Sequence, residues 1–160
     1  MSKILILSDS HGNVSNMLQA VKREKPDMII HLGDCHADAV QLHKKYPMIP
    51  METVPGNCDC SQDPAERILL LEGKRIFILH GHTRNVKAGY LSLEMAAREK
   101  QADVVLFGHT HRVFYDFHNQ IRYLNPGSIG APGYGNPPSY GLLYLDEFTG
   151  RVETDTIYFD

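Results

Sequence analysis

No stretch of the chain approaches the ~18 consecutive apolar residues that a membrane-spanning helix needs, so a protein that crosses a membrane on helices is not expected. Cysteine is scarce. Cys35, Cys58 and Cys60 are an odd number without paired metal-finger spacing, which argues against a disulfide framework and suits a reducing compartment. The first apolar run, Ile4 to Leu7, is too short for a signal peptide and ends in Ser8, Asp9, Ser10 and His11. The expected location is therefore the cytoplasm. Charge of one sign is also lacking: 16 Lys and Arg stand against 19 Asp and Glu, a formal net charge of -3. No segment gathers the dense basic patch that non-specific nucleic-acid binding leaves in a sequence, so nucleic acid is not the favoured partner. Internal repeats, low-complexity tracts and linkers are missing as well, which leaves one compact unit over residues 1–160.

A chain of 160 residues with 42% hydrophobic and 22% charged residues has enough length to bury a sizeable core without disulfides. Apolar runs and helical spacings alternate along its first third. Lys3 to Leu7 reads as a strand, and Val14, Met17, Leu18 and Val21 recur at helical spacing as far as Pro26. Met28 to Leu32 reads as a second strand, about Ala37 to Tyr46 as a helix and about Ile49 to Val54 as a third strand, a βαβαβ unit that implies parallel pairing. From Glu66 to Leu79 two apolar runs flank Glu72-Gly73-Lys74, the signature of an antiparallel hairpin. A helix from about Gly89 to Lys100 precedes a strand at Val104 to Phe107. Four more strands are expected at Val113 to Phe117, Ile121 to Leu124, Tyr140 to Leu145 and Val152 to Tyr158, around a Gly/Pro-rich loop from Asn125 to Pro138. So many strands beside so few helices predict two packed sheets with the helices outside.

Residues able to hold metal appear where the apolar runs stop: Asp9-Ser10-His11, Gly33-Asp34, Gly56-Asn57, His80-Gly81-His82 and Gly108-His109-Thr110-His111. The carboxyl ends of strands in α/β sheets border the crevice where ligands bind, so distant residues converge there. On an extended segment residues i and i+2 point the same way, which would aim Asp9 with His11, and His109 with His111, at one point. Carboxylate, imidazole and amide oxygen suit Mn, Fe, Zn or Ni better than a thiolate-rich site would. Asp34, with two carboxylate oxygens, is the natural bridge between two cations. Such a pair, roughly 3.5–4 Å apart, would clamp a phosphoryl group and activate a bridging hydroxide as nucleophile. No Ser elbow, Cys-Arg phosphate loop or Gly-rich nucleotide loop with Lys signals another phosphoryl chemistry.

At these residues the chain resembles the calcineurin-like metallophosphoesterase superfamily, whose blocks D-x-H, G-D, G-N-[HC]-[DE], H-G-H and G-H-T-H occur here in order. The compact length, the H-G-H form and Asn125-Pro126-Gly127-Ser128 are similar to the small YfcE-type phosphodiesterases. The resemblance implies a four-layer αββα sandwich of two mixed β-sheets flanked by helices. It implies two divalent cations, most of all Mn with Ni, Zn or Fe as alternatives, one held by Asp9, His11, Asp34 and His111 and the other by Asp34, Asn57, His80 and His109. The implied reaction is hydrolysis of a small-molecule phosphodiester, with Asn57 and His82 orienting the phosphate, by a homo-oligomer, dimer or tetramer.

One position departs from the family pattern. Many members carry His directly after the conserved Asn, where this chain has Cys58; leaving-group protonation is then expected to fall to a metal-bound water or to His82, which makes activated esters the easier substrates. Arg84 is the candidate phosphate contact, and with Arg112 it would serve the alternative reading as a phosphomonoesterase or nucleotidase. A second alternative is a non-catalytic scaffold, since a retromer subunit shares this fold. His31, His36, His43 and His118 fall outside the blocks and read as structural or solvated residues. Cys35 reads as a small buried hydrophobe, and Met17, Met28, Met48, Met51 and Met95 as core filler. Asn125 to Ser128 is expected to form a tight turn that supports the metal shell.

Overall fold

The computed structural model describes residues 1–130, 132 and 135–159. Its strands are β1 (Ser2–Leu7), β2 (Met28–His31), β3 (Met51–Thr53), β4 (Glu66–Leu71), β5 (Lys74–Leu79), β6 (Val104–Leu106), β7 (Val113–His118), β8 (Ile121–Pro126), β9 (Ser139–Asp146) and β10 (Arg151–Tyr158). Its α-helices are α1 (Val14–Glu24), α2 (His36–Lys45) and α3 (Leu91–Glu99), and a single 3₁₀ turn covers His82–Arg84. The strands form two five-stranded mixed sheets with the orders β10-β9-β1-β2-β3 and β4-β5-β6-β8-β7. β1, β2 and β3 run parallel, as the βαβαβ reading requires, and β4 and β5 make the expected antiparallel hairpin.

The period of two along each central strand explains the layers. In β1, Ile4 and Ile6 enter a core between the two sheets, where they meet Ile76, Ile78, Val104 and Leu106 of the other sheet. Leu5 and Leu7 point the opposite way, onto Met17, Ala20 and Val21 of α1 and Leu42 of α2. β5 divides likewise: Phe77 and Leu79 pack on Leu93, Ala96 and Ala97 of α3. Strands buried on both faces must be apolar throughout, which is why these segments lack polar alternation. The result is helix, sheet, sheet, helix, the αββα sandwich.

α1 begins where the Asn13 carboxamide accepts the N–H of Asn16 at 3.0 Å and ends at Lys25, left-handed at φ 49°, ahead of Pro26. Asn13→Ala removes that cap and is expected to cost about 1 kcal/mol, read as a lower urea midpoint with an unchanged slope.

Two readings of the sequence need correction. Met48 and Met95 are 93% and 62% exposed and fill no core; Met48 sits in the turn between α2 and β3, and Met95 on the outward face of α3. Cys35 is half-exposed rather than buried, because it occupies a left-handed position (φ 73°) just before α2 that carries its side chain out of the core. The expected Gly/Pro-rich loop includes residues 131, 133 and 134, which lie outside the described residues. Among the described residues no helix is long and apolar enough to cross a membrane.

Candidate metal centre

Each of the five polar blocks lies just past a strand end: Asp9 and His11 after β1, Asp34 after β2, Asn57 after β3, His80 after β5, and His109 and His111 after β6. The paired residues do not converge by strand alternation. Asp9, His11, Asp34, His109 and His111 are all left-handed, with φ of 55°, 43°, 62°, 71° and 61°, a region non-glycine residues occupy at a cost. The chain turns back on itself at every second residue, and that turn rather than an extended segment aims both members of each pair inward. Neighbouring glycines leave the space. A Cβ at Gly56 would fall on the Asp34 carboxylate, and one at Gly108 on the Ser8 hydroxyl and the Asp9 carboxylate.

The two carboxylates are divided in their duties. Asp9 is fully buried, and its Oδ2 accepts the Ser8 hydroxyl at 2.6 Å and the His109 N–H at 3.1 Å. Its Oδ1 has no hydrogen bond, yet it faces Nε2 of His111, His80 and His11 at 3.2, 3.7 and 3.9 Å. The shortest of these contacts pairs the oxygen with the His111 imidazole, and a cation placed among the three nitrogens would meet the same negative charge. Asp34 Oδ1 accepts the Cys58 N–H at 3.0 Å, while Oδ2 stands 3.5 Å from His11 Nε2 and 3.4 Å from His80 Nε2.

His80 is oriented from behind. Its Nδ1 lies 2.8 Å from the Leu32 carbonyl, which fixes a proton there and turns Nε2 toward Asn57 Oδ1 and His109 Nδ1, each at 3.1 Å. Such outward anchoring is the usual support of a metal-binding imidazole. Burial works against charge on His80, but Asp34 and Asp9 outweigh it and raise its pKa. Burial likewise fails to neutralise Asp34 and Asp9, whose imidazole neighbours hold both pKa values below the usual carboxylate range. A pocket that draws a proton onto an imidazole in this way draws a divalent cation for the same reason. Ligand atoms of Asp9, His11, Asp34 and His111 all lie within 4.8 Å of one another. His80 Nε2 approaches Asp34 Oδ2 from the other side and has Asn57 Oδ1 and His109 Nδ1 beside it, so the seven residues expected from the sequence adjoin one another. The donor set, oxygen and imidazole nitrogen without thiolate, fits a pair of borderline-hard divalent ions.

The remaining candidates are placed less directly. His82 lies beside the centre, its ring 5.5 Å from His80 and 6.2 Å from His109. Its Nδ1 is buried without a hydrogen bond, and burial together with the His80 charge lowers its pKa. Cys58 is exposed and reaches Asp34 through its backbone; the Asp34 charge raises its thiol pKa, so it stays protonated. Arg84 is taken by Glu66 in a two-pronged fork, Nε to Oε2 at 2.7 Å and Nη2 to Oε1 at 2.8 Å.

Three supports went unread or half-read in the sequence. Asp59 accepts the N–H groups of Asp34, His36 and Gly56 at 3.0, 2.8 and 2.8 Å, pinning the second and third strand-end loops together; an Asp two residues after Asn57 was the available signal. His31 is buried with Nδ1 accepting the Gly33 N–H at 3.2 Å and Nε2 3.0 Å from the Ser10 hydroxyl. Asn125 and Pro126 close β8 instead of forming a turn, yet the segment supports the centre: Asn125 Nδ2 donates to the Gly108 carbonyl at 3.1 Å and Thr110 Oγ1 at 3.0 Å, and the Ser128 hydroxyl donates to the Asp9 carbonyl at 2.8 Å. Asn125→Ala frees the His109–His111 loop and is expected to weaken metal binding about tenfold, the lower end for such supports, measured by titration of the stripped protein.

Two mixed sheets between helices, with carboxylates, imidazoles and an amide gathered from strand ends of both, define a two-sheet metallohydrolase. Residues 2–147 match the calcineurin-like phosphoesterase superfamily domain, and the chain belongs to that family, the dimetal-dependent metallophosphoesterases. It is 35% identical over 153 residues to "Probable metallophosphoesterase YsnB" of Bacillus subtilis, covering 93% of this chain and 88% of that protein. It is 29% identical over 172 residues to "Phosphodiesterase YfcE" of Escherichia coli, covering 91% of this chain and 89% of that one. The solved structure of Vps29 from Entamoeba histolytica complexed with zinc superposes with a TM-score of 0.75 at 18% identity, over 99% of each chain, a likeness of fold.

Proposed function

We propose that the chain hydrolyses small-molecule phosphodiesters on a pair of divalent cations, Mn foremost, with Ni, Zn and Fe as alternatives. The observation that carries the reading is Asp34 Oδ2, one oxygen 3.5 and 3.4 Å from imidazoles of two different donor sets. Asp9, His11, Asp34 and His111 would hold one cation, and Asp34, Asn57, His80 and His109 the other. When bound, the pair supplies Lewis acidity to the phosphoryl group and a water of lowered pKa. Around them Asn57 and His82 orient the phosphate. His82 is held neutral at pH 7 and offers a single ring proton; Cys58, exposed and protonated, adds only a weak donor. Leaving-group protonation is therefore poorly supplied, and aryl diesters are expected to turn over faster than alkyl diesters; equal rates would refute this part. We further read residues 1–160 as one cytoplasmic domain that works as a homo-oligomer.

The diester is preferred over the monoester because a doubly charged monoester gains from a cationic side chain at the phosphate; Arg84 is already committed to Glu66, and Arg112 borders cavities beside the Gly108–His111 loop instead. The relative named phosphodiesterase supports the same choice. Vps29, solved with zinc, has this fold too, so a scaffold is the second reading, and turnover rather than bound metal separates the two. The test is hydrolysis of an aryl diester and its monoester by stripped protein resupplied with Mn, Ni, Zn or Mg, beside His80→Ala. Metal-dependent turnover, faster on the diester and reduced about 100-fold in the variant, is expected. Bound metal with turnover of neither ester would move the protein to the scaffold class.

A further inference from the structure

Beside the Gly108–His111 loop opens a cavity of ≈ 530 Å³ lined by Val86, Lys87, Tyr90, Thr110, Arg112 and Phe114, within the range of small-molecule sites. It adjoins the metal centre through Thr110, which stands between His109 and His111. Two features mark its chemistry. One wall is aromatic and rigid: the Tyr90 and Phe114 rings are 4.6 Å apart, and both lean on Phe107, at 5.5 and 6.1 Å, which is fully buried. The rim is cationic, with Lys87 and Arg112 and no carboxylate among its described lining residues, in a chain whose net charge is -3.

The rim is also tied to the centre. The Arg112 N–H donates to Thr110 Oγ1 at 3.2 Å, the hydroxyl that also receives Asn125 Nδ2. On the far side of Arg112 lies a second cavity of ≈ 380 Å³ bordered by His111, Asn136 and Tyr158. A phosphodiester carries two substituents, and both recesses border the Gly108–His111 loop, one at Thr110 and the other at His111. Resting on the diesterase reading, we infer that the Lys87–Arg112 cavity receives one ester substituent and selects an aromatic ring that bears a negative charge. The ring meets Tyr90 and Phe114 in offset or edge contact. Its anion is met by an ammonium and a guanidinium, the latter suited to a planar carboxylate or a phosphate.

Three diesters with para-nitrophenolate as the common leaving group test this: the second ester is methyl, phenyl or meta-carboxyphenyl. KM is expected to fall along that series, by about tenfold from phenyl to carboxyphenyl. In the Lys87→Ala/Arg112→Ala double variant the phenyl-to-carboxyphenyl ratio collapses toward one, and in Lys87→Glu it inverts. Equal KM values for the last two esters in the unaltered protein, or a ratio that survives both variants, overturn the inference. Binding of benzoate against benzamide to metal-stripped protein, followed on the Tyr90 and Phe114 ring resonances, separates this from the diesterase reading. Benzoate-selective binding lost in the double variant supports the cavity's chemistry even if no ester is turned over. Turnover without either preference removes the cavity alone, and absence of both turnover and binding removes it together with the diesterase reading.

Discussion

Asp34→Asn is expected to lower kcat/KM for an aryl diester by about 10³-fold, equal to about 4 kcal/mol of lost transition-state stabilisation. Asparagine tolerates the left-handed φ of 62° found here, and its carbonyl oxygen can still accept the Cys58 N–H that Oδ1 accepts now. What disappears is the negative charge between His11 and His80, and an amide nitrogen in the place of Oδ2 repels a cation. Metal analysis should then find fewer than two ions per chain, while urea unfolding remains cooperative. A variant that keeps its rate within tenfold would take Asp34 out of the bridging place.

Lowering the pH of chelator-treated protein from 7.5 to about 4 is expected to remove about 3 kcal/mol of stability through His31 alone. The ring is 1% exposed. Its Nδ1 accepts the Gly33 N–H, so its one proton sits on Nε2 toward Ser10. Burial pushes its pKa from 6.5 to about 4 despite the pull of Asp9, Asp38 and Asp59. The unfolded chain therefore takes up the proton first. The stabilisation is complete above the unfolded pKa and is lost as pH falls through the window from 6.5 to 4. Urea midpoints across that window should fall less steeply in His31→Gln, which carries no titrating ring; matching slopes would place the charge change elsewhere. The chelator matters because bound metal adds its own proton linkage.

What could be read in the sequence followed from periodicity and from where it stops. Ile4 to Leu7 and Ile76 to Leu79 had to be buried on both faces, and the glycine beside Asp34, Asn57 or His109 marked a turn, so both sheets and the gathering of the seven candidate residues at their strand ends were legible. The handedness of those turns was not. An alternation rule assumes extended backbone, and His11 and His111 reach the centre only because each is left-handed. Nor could the partner of Arg84 be read, since Glu66 meets it only once β4 is set beside the 3₁₀ turn. Asp59 was legible as the acidic end of the G-N-[HC]-[DE] block, but its three hydrogen bonds were not, because they run to backbone N–H groups.

The seven donors are shared between the sheets: Asp9, His11, Asp34 and Asn57 follow strands of one, His80, His109 and His111 strands of the other. No strand belongs to both, and between them lies apolar packing such as Ile6 and Ile30 against Ile78 and Leu106. The centre is thus read like a calliper whose two jaws are the sheets and whose gap is set by the thickness of that packing. A methyl group added or removed deep between the jaws would change the spacing of the side chains at the rim without altering any of the seven residues themselves.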